Sequence, residues 1–479
     1  MQELCRLTAT EAVSLLRKRE VSPLELVDAA AARIAETEPA LNALPILCLD
    51  RAREHARRLM AEPPRDTPAH FLHGLPIAVK DNVEVAGVRC TFGSPIFAEH
   101  VSATSDPVVE KLEASGAIVI GKSNIPEFAA GNSTFNDVFG ATRNPWNTAC
   151  TPGGSSGGSA AALAAGQVWL ATGNDFGGSI RTPASFCSLV GLRPTAGVVP
   201  RIQKQPYSPL NVEGPLARTV ADCALMLECE AGHHPLDPLS VPRVPGEFLR
   251  AAANPKRPCR VALSLDLGVA PAVDAEVAEL VTGLGRTLEG AGCVVEPACP
   301  NLSDAEAIFR TLRGVAYIGN MRSLLQTARD RLKPEVIENA EFGARLGIDD
   351  IVAAEIAHGE LVRRVARFFQ QYDVLVCPAI LCPPIPVQER YLREIDGVPL
   401  GDYLGWLVMT TVISATGCPV LALPCGFTRG GLPVGVQVVG PARSETELLA
   451  IGAFMEERLA IAPKTPVEPR VTQASGPAS

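Results

Sequence analysis

Thr151-Pro-Gly-Gly-Ser155-Ser156-Gly-Gly-Ser159, followed by Gly173-Asn174-Asp175-Phe176-Gly177-Gly178-Ser179-Ile180-Arg181, is the stretch that organises this 479-residue chain. Residues 153–214 hold 11 of the 41 glycines. A glycine-dense run inside an apolar chain brings backbone close to a ligand or folds it into turns that other residues avoid. Tandem glycines before Ser179 let consecutive backbone N–H groups point at one spot, the arrangement that holds a developing oxyanion.

Upstream, His73-Gly-Leu-Pro-Ile-Ala-Val-Lys80-Asp81-Asn82 puts a lysine at the end of an apolar strand. Lysine is scarce here, eight against 35 arginines. A lysine behind Ile77-Ala78-Val79 risks losing its solvation, which lowers its pKa and makes a neutral amine base available.

Composition narrows the setting. Apolar residues are 47%, charged residues 20%, and the net charge is −9, too apolar for a disordered chain. An acidic balance gives no electrostatic reason to expect nucleic acid as a ligand. No apolar run approaches the ~18 residues of a membrane span, and Glu3 and Arg6 break any signal-peptide stretch. None of the 14 cysteines forms a C-x-x-C pair, so no metal site is expected and reduced, packed thiols are. Together these features predict a soluble cytoplasmic protein.

Periodicity predicts helices over 8–60, with Ser22-Pro23-Leu24-Glu25 as a capping box. An α/β alternation follows: strands at 75–79 and 117–120 enclose a helix opened by Asp106-Pro107. A helix over 159–165, a proline-rich connector over 232–258, a strand at 260–263 and a helix over 273–288 come next. Residues 303–370 read as mostly helical, 374–376, 420–423 and 434–439 as strands, 445–459 as a closing helix, and the chain from Pro463 as a loose tail. Length alone suggests two to four domains.

Two motif matches fail on context. Gly116-Ala-Ile-Val-Ile-Gly121-Lys122-Ser123 fits the P-loop pattern, but its middle residues are a strand core and Asn124-Ile125-Pro126 follows instead of a helical turn. Gly153-Gly154-Ser155-Ser156-Gly157 fits the nucleophile elbow, but the preceding Asn147–Pro152 is a turn-rich loop. The later histidines, His233, His234 and His358, sit in a connector or on a helix, which disfavours a Ser-His-Asp hydrolase.

Taken together, the lysine strand and the two glycine-serine segments resemble the amidase signature family. Phe186-Cys187, Gly191-Leu-Arg-Pro-Thr195, Gly214-Pro-Leu-Ala-Arg-Thr219, Gly417-Cys-Pro-Val-Leu-Ala-Leu-Pro424 and Gly431-Leu-Pro-Val-Gly-Val-Gln437-Val-Val-Gly440 extend the resemblance over most of the chain. It implies a single large α/β domain, with a mixed, twisted central sheet covered by helices on both faces. Its parts would be an N-terminal helical region (1–65), the signature core (66–231), a connector and variable helical region forming a pocket wall (232–370), the C-terminal part of the sheet (371–463) and the tail (464–479).

The resemblance also assigns roles. Ser179 matches the nucleophile, Ser155 the bridging serine on a cis peptide with Gly154, and Lys80 the base. Phe176, Gly177, Gly178 and the Ser179 N–H match the oxyanion hole, Asp175 and Arg181 the pair bracing that turn, and Ser156 a supporting hydrogen bond. No metal or organic cofactor is implied. The substrate would be a small amide, carbamate or ester, handled by a monomer or homodimer. Phe176, with Ala129, Ala130, Gly131, Phe135 and Tyr207 nearby, suggests an apolar pocket for aryl amides, anilides or carbamates, the last making it a urethanase. Segments 201–211 and 303–345 would supply the lid and walls. The alternative is the glutamine-hydrolysing subunit of a tRNA-dependent amidotransferase. Against it, Phe176 replaces the usual Thr, Asn174 replaces the usual hydroxyl residue, and no Arg-Tyr-Gly-rich continuation follows Pro200.

Overall fold

The computed structural model describes residues 2–461 and 464–471. Eleven strands form one sheet: β1 (Ile46–Leu47), β2 (Pro76–Lys80), β3 (Ile118–Ser123), β4 (Leu170–Asp175), β5 (Val190–Arg193), β6 (Val212–Ala217), β7 (Arg260–Leu263), β8 (Val294–Pro297), β9 (Val374–Pro378), β10 (Val420–Phe427) and β11 (Pro433–Val439). Their order is β1-β3-β2-β4-β6-β5-β10-β11-β9-β7-β8. The sheet is mixed. Pairings β3-β2-β4 and β9-β7-β8 are parallel, while the centre from β4 to β9 through β11 is antiparallel. One continuous sheet is why the length-based count of two to four domains gives way to a single α/β domain.

The central strands are buried along their whole length. This is how strands read when helices cover both faces. The capping box forms as the sequence requires, with Ser22 receiving the Glu25 N–H and Glu25 receiving that of Ser22. The helix Gly157–Ala164 is wholly buried. Its glycines are obligatory at one point: a Cβ on Gly158 would stand 2.3 Å from the Asn124 nitrogen. Residues 8–60 are not all helical, because Ile46–Leu47 pairs with Lys122 and Gly121 of β3. Gly116–Ser123 forms β3 and its turn, so the P-loop pattern is sheet backbone.

The tail departs from expectation. Val467 donates to the Ala164 carbonyl, Arg470 to that of Pro145, and Glu468 pairs with Arg33 at 2.9 Å. Residues 464–471 are therefore docked. Residues 463 and 472–479 of the expected loose tail, like 462 before it, lie outside the described residues. No helix among the described residues is long and apolar enough to cross a membrane.

Candidate active site

Lys80 closes β2 and is fully buried. Its position is set by the strand: the Lys80 N–H donates to Thr172 Oγ1 of β4 at 2.9 Å. The Nζ stands 2.8 Å from Ser155 Oγ and donates to Asn174 Oδ1 at 2.6 Å. Both partners are neutral oxygens. Burial therefore dominates and pushes the Lys80 pKa down to about 7, against a smaller upward pull from Glu213. Asn174 is itself oriented, because its Nδ2 donates to Asn82 Oδ1 at 3.0 Å and leaves Oδ1 for the lysine. Sequence reasoning marks Asn174 only as a departure from the amidotransferase pattern. Its alternation with Asp175 along β4 is the signal that aims it at the lysine.

Ser155 follows an irregular loop rather than a strand, on a cis peptide with Gly154. Ser179 lies on the turn between β4 and the helix Arg181–Cys187. The Ser156 N–H donates to the Ser179 carbonyl at 3.1 Å and ties the two serine loops together. Ser155, Ser179, Asn174 and Phe176 all line one cavity of about 650 Å³. The Ser156 hydroxyl finds no hydrogen-bond partner among the described residues.

The turn carrying Ser179 is braced from below. Arg181 grips the Asp175 carboxylate through Nε at 3.0 Å and Nη2 at 2.9 Å. Arg193 adds a second guanidinium at 3.3 Å. Burial opposes ionisation of Asp175, but the two guanidiniums outweigh it and hold the carboxyl well below the usual range. Arg181 reaches on to the Thr410 carbonyl and the Ser414 hydroxyl. Arg193 is visible in the sequence motif, but only the fold brings it here.

One expectation changes. The Gly178 N–H donates to Asp175 Oδ1 at 2.9 Å, and that of Ile180 to Oδ2 at 3.1 Å. The Gly178 N–H thus serves the brace beneath the turn. Gly178 is still required, with φ +116° and a Cβ position only 2.5 Å from Thr410 Oγ1.

The cavity wall is partly as expected. Ala129 lines it, together with residues 200–204, Asn211 and the helical face from Arg313 to Leu324. Gly131, Phe135 and Tyr207 do not. Phe135 packs instead beneath Lys333 and Arg390, 5.2 and 5.0 Å from its ring centre. Tyr207 is 72% exposed. Of the seven histidines only His100 lines the cavity, held by Glu84 at 3.0 Å. His358 contacts the Ala415 carbonyl instead. Among the described residues no group of three His, Cys, Asp or Glu is placed to hold a metal ion.

Residues 25–449 match the Amidase family model. A glutamyl-tRNA(Gln) amidotransferase subunit of Thermosynechococcus vestitus is 37% identical over 473 residues, covering 92% of this chain and 96% of the relative. Its counterpart in Anaeromyxobacter dehalogenans is 36% identical over 487 residues, covering 97% and 99%. Among solved structures, a bacterial aryl acylamidase of the amidase signature enzymes superposes with a TM-score of 0.86 at 28% identity, covering 96% of this chain and 99% of that one. The glutamyl-tRNA(Gln) amidotransferase subunit of Thermotoga maritima superposes at 0.74 with 26% identity, covering 98% and 99%. These relatives give the amidotransferase alternative more support than the residues alone give it. On the match across residues 25–449 and on relatives sharing over a third of their residues with it, the chain belongs to the amidase family and is an enzyme acting on carbon–nitrogen bonds.

Proposed function

We propose that the protein hydrolyses small-molecule amides through an acyl-enzyme on Ser179. The observation that carries this reading is the fully buried Lys80 Nζ, 2.8 Å from Ser155 Oγ and 2.6 Å from Asn174 Oδ1, with no ion pair among the described residues. A lysine held near neutrality at pH 7 can accept a proton, which an ordinary ammonium cannot. Lys80 takes the Ser155 proton as Ser155 takes that of Ser179, and Ser179 Oγ attacks the carbonyl carbon. The N–H groups of Gly177 and Ser179, with Phe176 beside them, hold the oxyanion, where one donor is worth about 3–4 kcal/mol. The proton then returns through Ser155 to the leaving nitrogen, and water releases the acyl group by the same relay.

The cavity favours aryl amides and anilides, and with them aryl carbamates. Phe92, Phe97, Phe128, Phe176 and Tyr317 all face it, and such walls suit flat apolar groups. The test compares an acyl anilide with the matching aryl carbamate, with Ser179→Ala as the control. Turnover in wild type and a loss of at least about 10⁴-fold in Ser179→Ala are expected. Retained turnover in that variant would sink the assignment.

A second reading is favoured by the 36–37% identity to amidotransferase subunits along nearly their whole length. In it the same triad would release ammonia from glutamine inside a complex. Glutaminase activity that appears only with a co-purifying partner, and no anilide turnover, would select it.

A further inference from the structure

The guanidiniums around this cavity differ in one respect. Arg201 pairs with Glu213 at 2.7 Å, and Arg181 and Arg193 share Asp175. Arg310, three residues before Arg313 on the helix Ala305–Thr327, pairs with Glu306 and Asp402. Arg313 makes no ion pair among the described residues. It lines the cavity with Ser155 and Ser179 and is only 5% exposed. Its Nε donates to Asn339 Oδ1 at 2.9 Å, and its Nη2 to the hydroxyls of Tyr317 at 3.0 Å and Tyr403 at 3.1 Å. All three acceptors are neutral, and Nη1 has no partner among the described residues.

Aromatic rings surround the cation. Arg313 Cζ lies 4.5 Å from the Tyr317 ring centre, 5.0 Å from that of Phe176 and 5.9 Å from that of Phe309. They fix the guanidinium and offset part of its charge. They do not replace a counter-ion, because an arginine stays charged and a buried charge is costly until it is paired. Phe176 also connects the arginine to the chemistry, since it lies three residues before Ser179. The acidic wall residues are engaged elsewhere, Glu84 with His100, Glu213 with Arg201, and Asp106 with the Glu84 N–H.

We propose that Arg313 is the docking point for a substrate carboxylate remote from the scissile amide, so that the preferred substrates are amides of carboxylate-bearing acids or amines. A carboxylate fits the planar fork of a pre-positioned guanidinium. The inference rests on the hydrolase reading and concerns which substrates that site selects.

Two matched pairs test it. N-phenylsuccinamate against butyranilide places the carboxylate on the acyl side, and 4-acetamidobenzoate against acetanilide on the leaving side. In at least one pair the charged member is expected to have at least tenfold higher kcat/KM. Arg313→Gln should reduce that charged-to-neutral ratio at least tenfold, and Arg313→Lys should restore part of it. A ratio unchanged in Arg313→Gln, with both substrates falling together, would mean a structural role and overturn the proposal. If the variant does not fold, wild-type competitive inhibition decides: 3-phenylpropanoate should inhibit at least tenfold more tightly than 3-phenylpropanamide, and equal inhibition overturns it. Ser179-dependent turnover of the neutral anilides with no charge preference rejects this inference alone. No Ser179-dependent turnover of any of the four rejects the hydrolase reading beneath it.

Discussion

Two lysines on adjacent parallel strands are both fully buried, yet their surroundings oppose each other. Lys80 ends β2, and Lys122 lies opposite Val79 in β3. Lys80 meets neutral oxygens from Ser155 and Asn174. Lys122 donates to the Val83 carbonyl at 2.7 Å and stands 3.6 Å from the Asp81 carboxylate, which Thr91 also binds. Lys80 and Asp81 are consecutive, but strand alternation sends one toward the serines and the other toward Lys122. Burial alone therefore does not make a lysine a base. What distinguishes the two is a carboxylate within ion-pairing distance, which Lys122 has in Asp81 at 3.6 Å and Lys80 lacks among the described residues.

The comparison can be broken at either lysine. Removing the base has the largest effect: Lys80→Met should lower kcat by about 10²–10⁴-fold. The chain should still fold, because no buried carboxylate is orphaned. Retained turnover would show that Lys80 is only a packing residue. Lys122→Met should do the reverse. It strands Asp81 in the core at about 3–5 kcal/mol, lowering Tm while leaving turnover per folded molecule close to wild type.

Asn174→Asp would convert the first environment into the second. A carboxylate beside Lys80 favours its charged form, so the acid limb of kcat/KM, expected near pH 7 in wild type, should move up by about 1–3 pH units. An unmoved limb would assign it to another group.

The remaining expected effect is on stability and is spread over a range of pH. Lys80 has its pKa depressed in the fold, so between pH 7 and its unfolded value near 10.4 the unfolded chain binds one more proton. Stability relative to Lys80→Met should then rise with pH in that window by about 1.4 kcal/mol per unit. It should be flat below the window, where both states of the lysine are protonated.

Much of this is legible in one dimension, for identifiable reasons. Ser22 and Glu25 lie three residues apart and cap each other locally, so their reading needs no fold. The strand at 260–263 and the closing helix at 445–459 follow from periodicity and bounds that neighbours do not override. The errors arise where partners are distant in sequence. Residue type groups Phe135 and Tyr207 with the pocket, but Lys333, Arg390 and solvent claim them. Lack of periodicity makes the tail read as loose, yet in its described part Val467, Glu468 and Arg470 dock on residues far upstream. The Gly178 N–H belongs with its neighbours in sequence, while the turn rotates it onto Asp175.

The sequence by itself determined the inventory: a scarce lysine after an apolar strand, two glycine-serine loops whose serines Ser155 and Ser179 share one glycine-rich stretch, and alternating elements that build a covered sheet. Local chemistry and spacing suffice for these, because chain connectivity already sets them. Only the tertiary structure decided that buried Lys80 meets neutral oxygens, that Arg313 lines the cavity without an ion pair among the described residues, and that the Gly178 N–H turns onto Asp175. Each depends on the dielectric and on partners far away in sequence, which enter a side chain's shell only when the sheet closes around it.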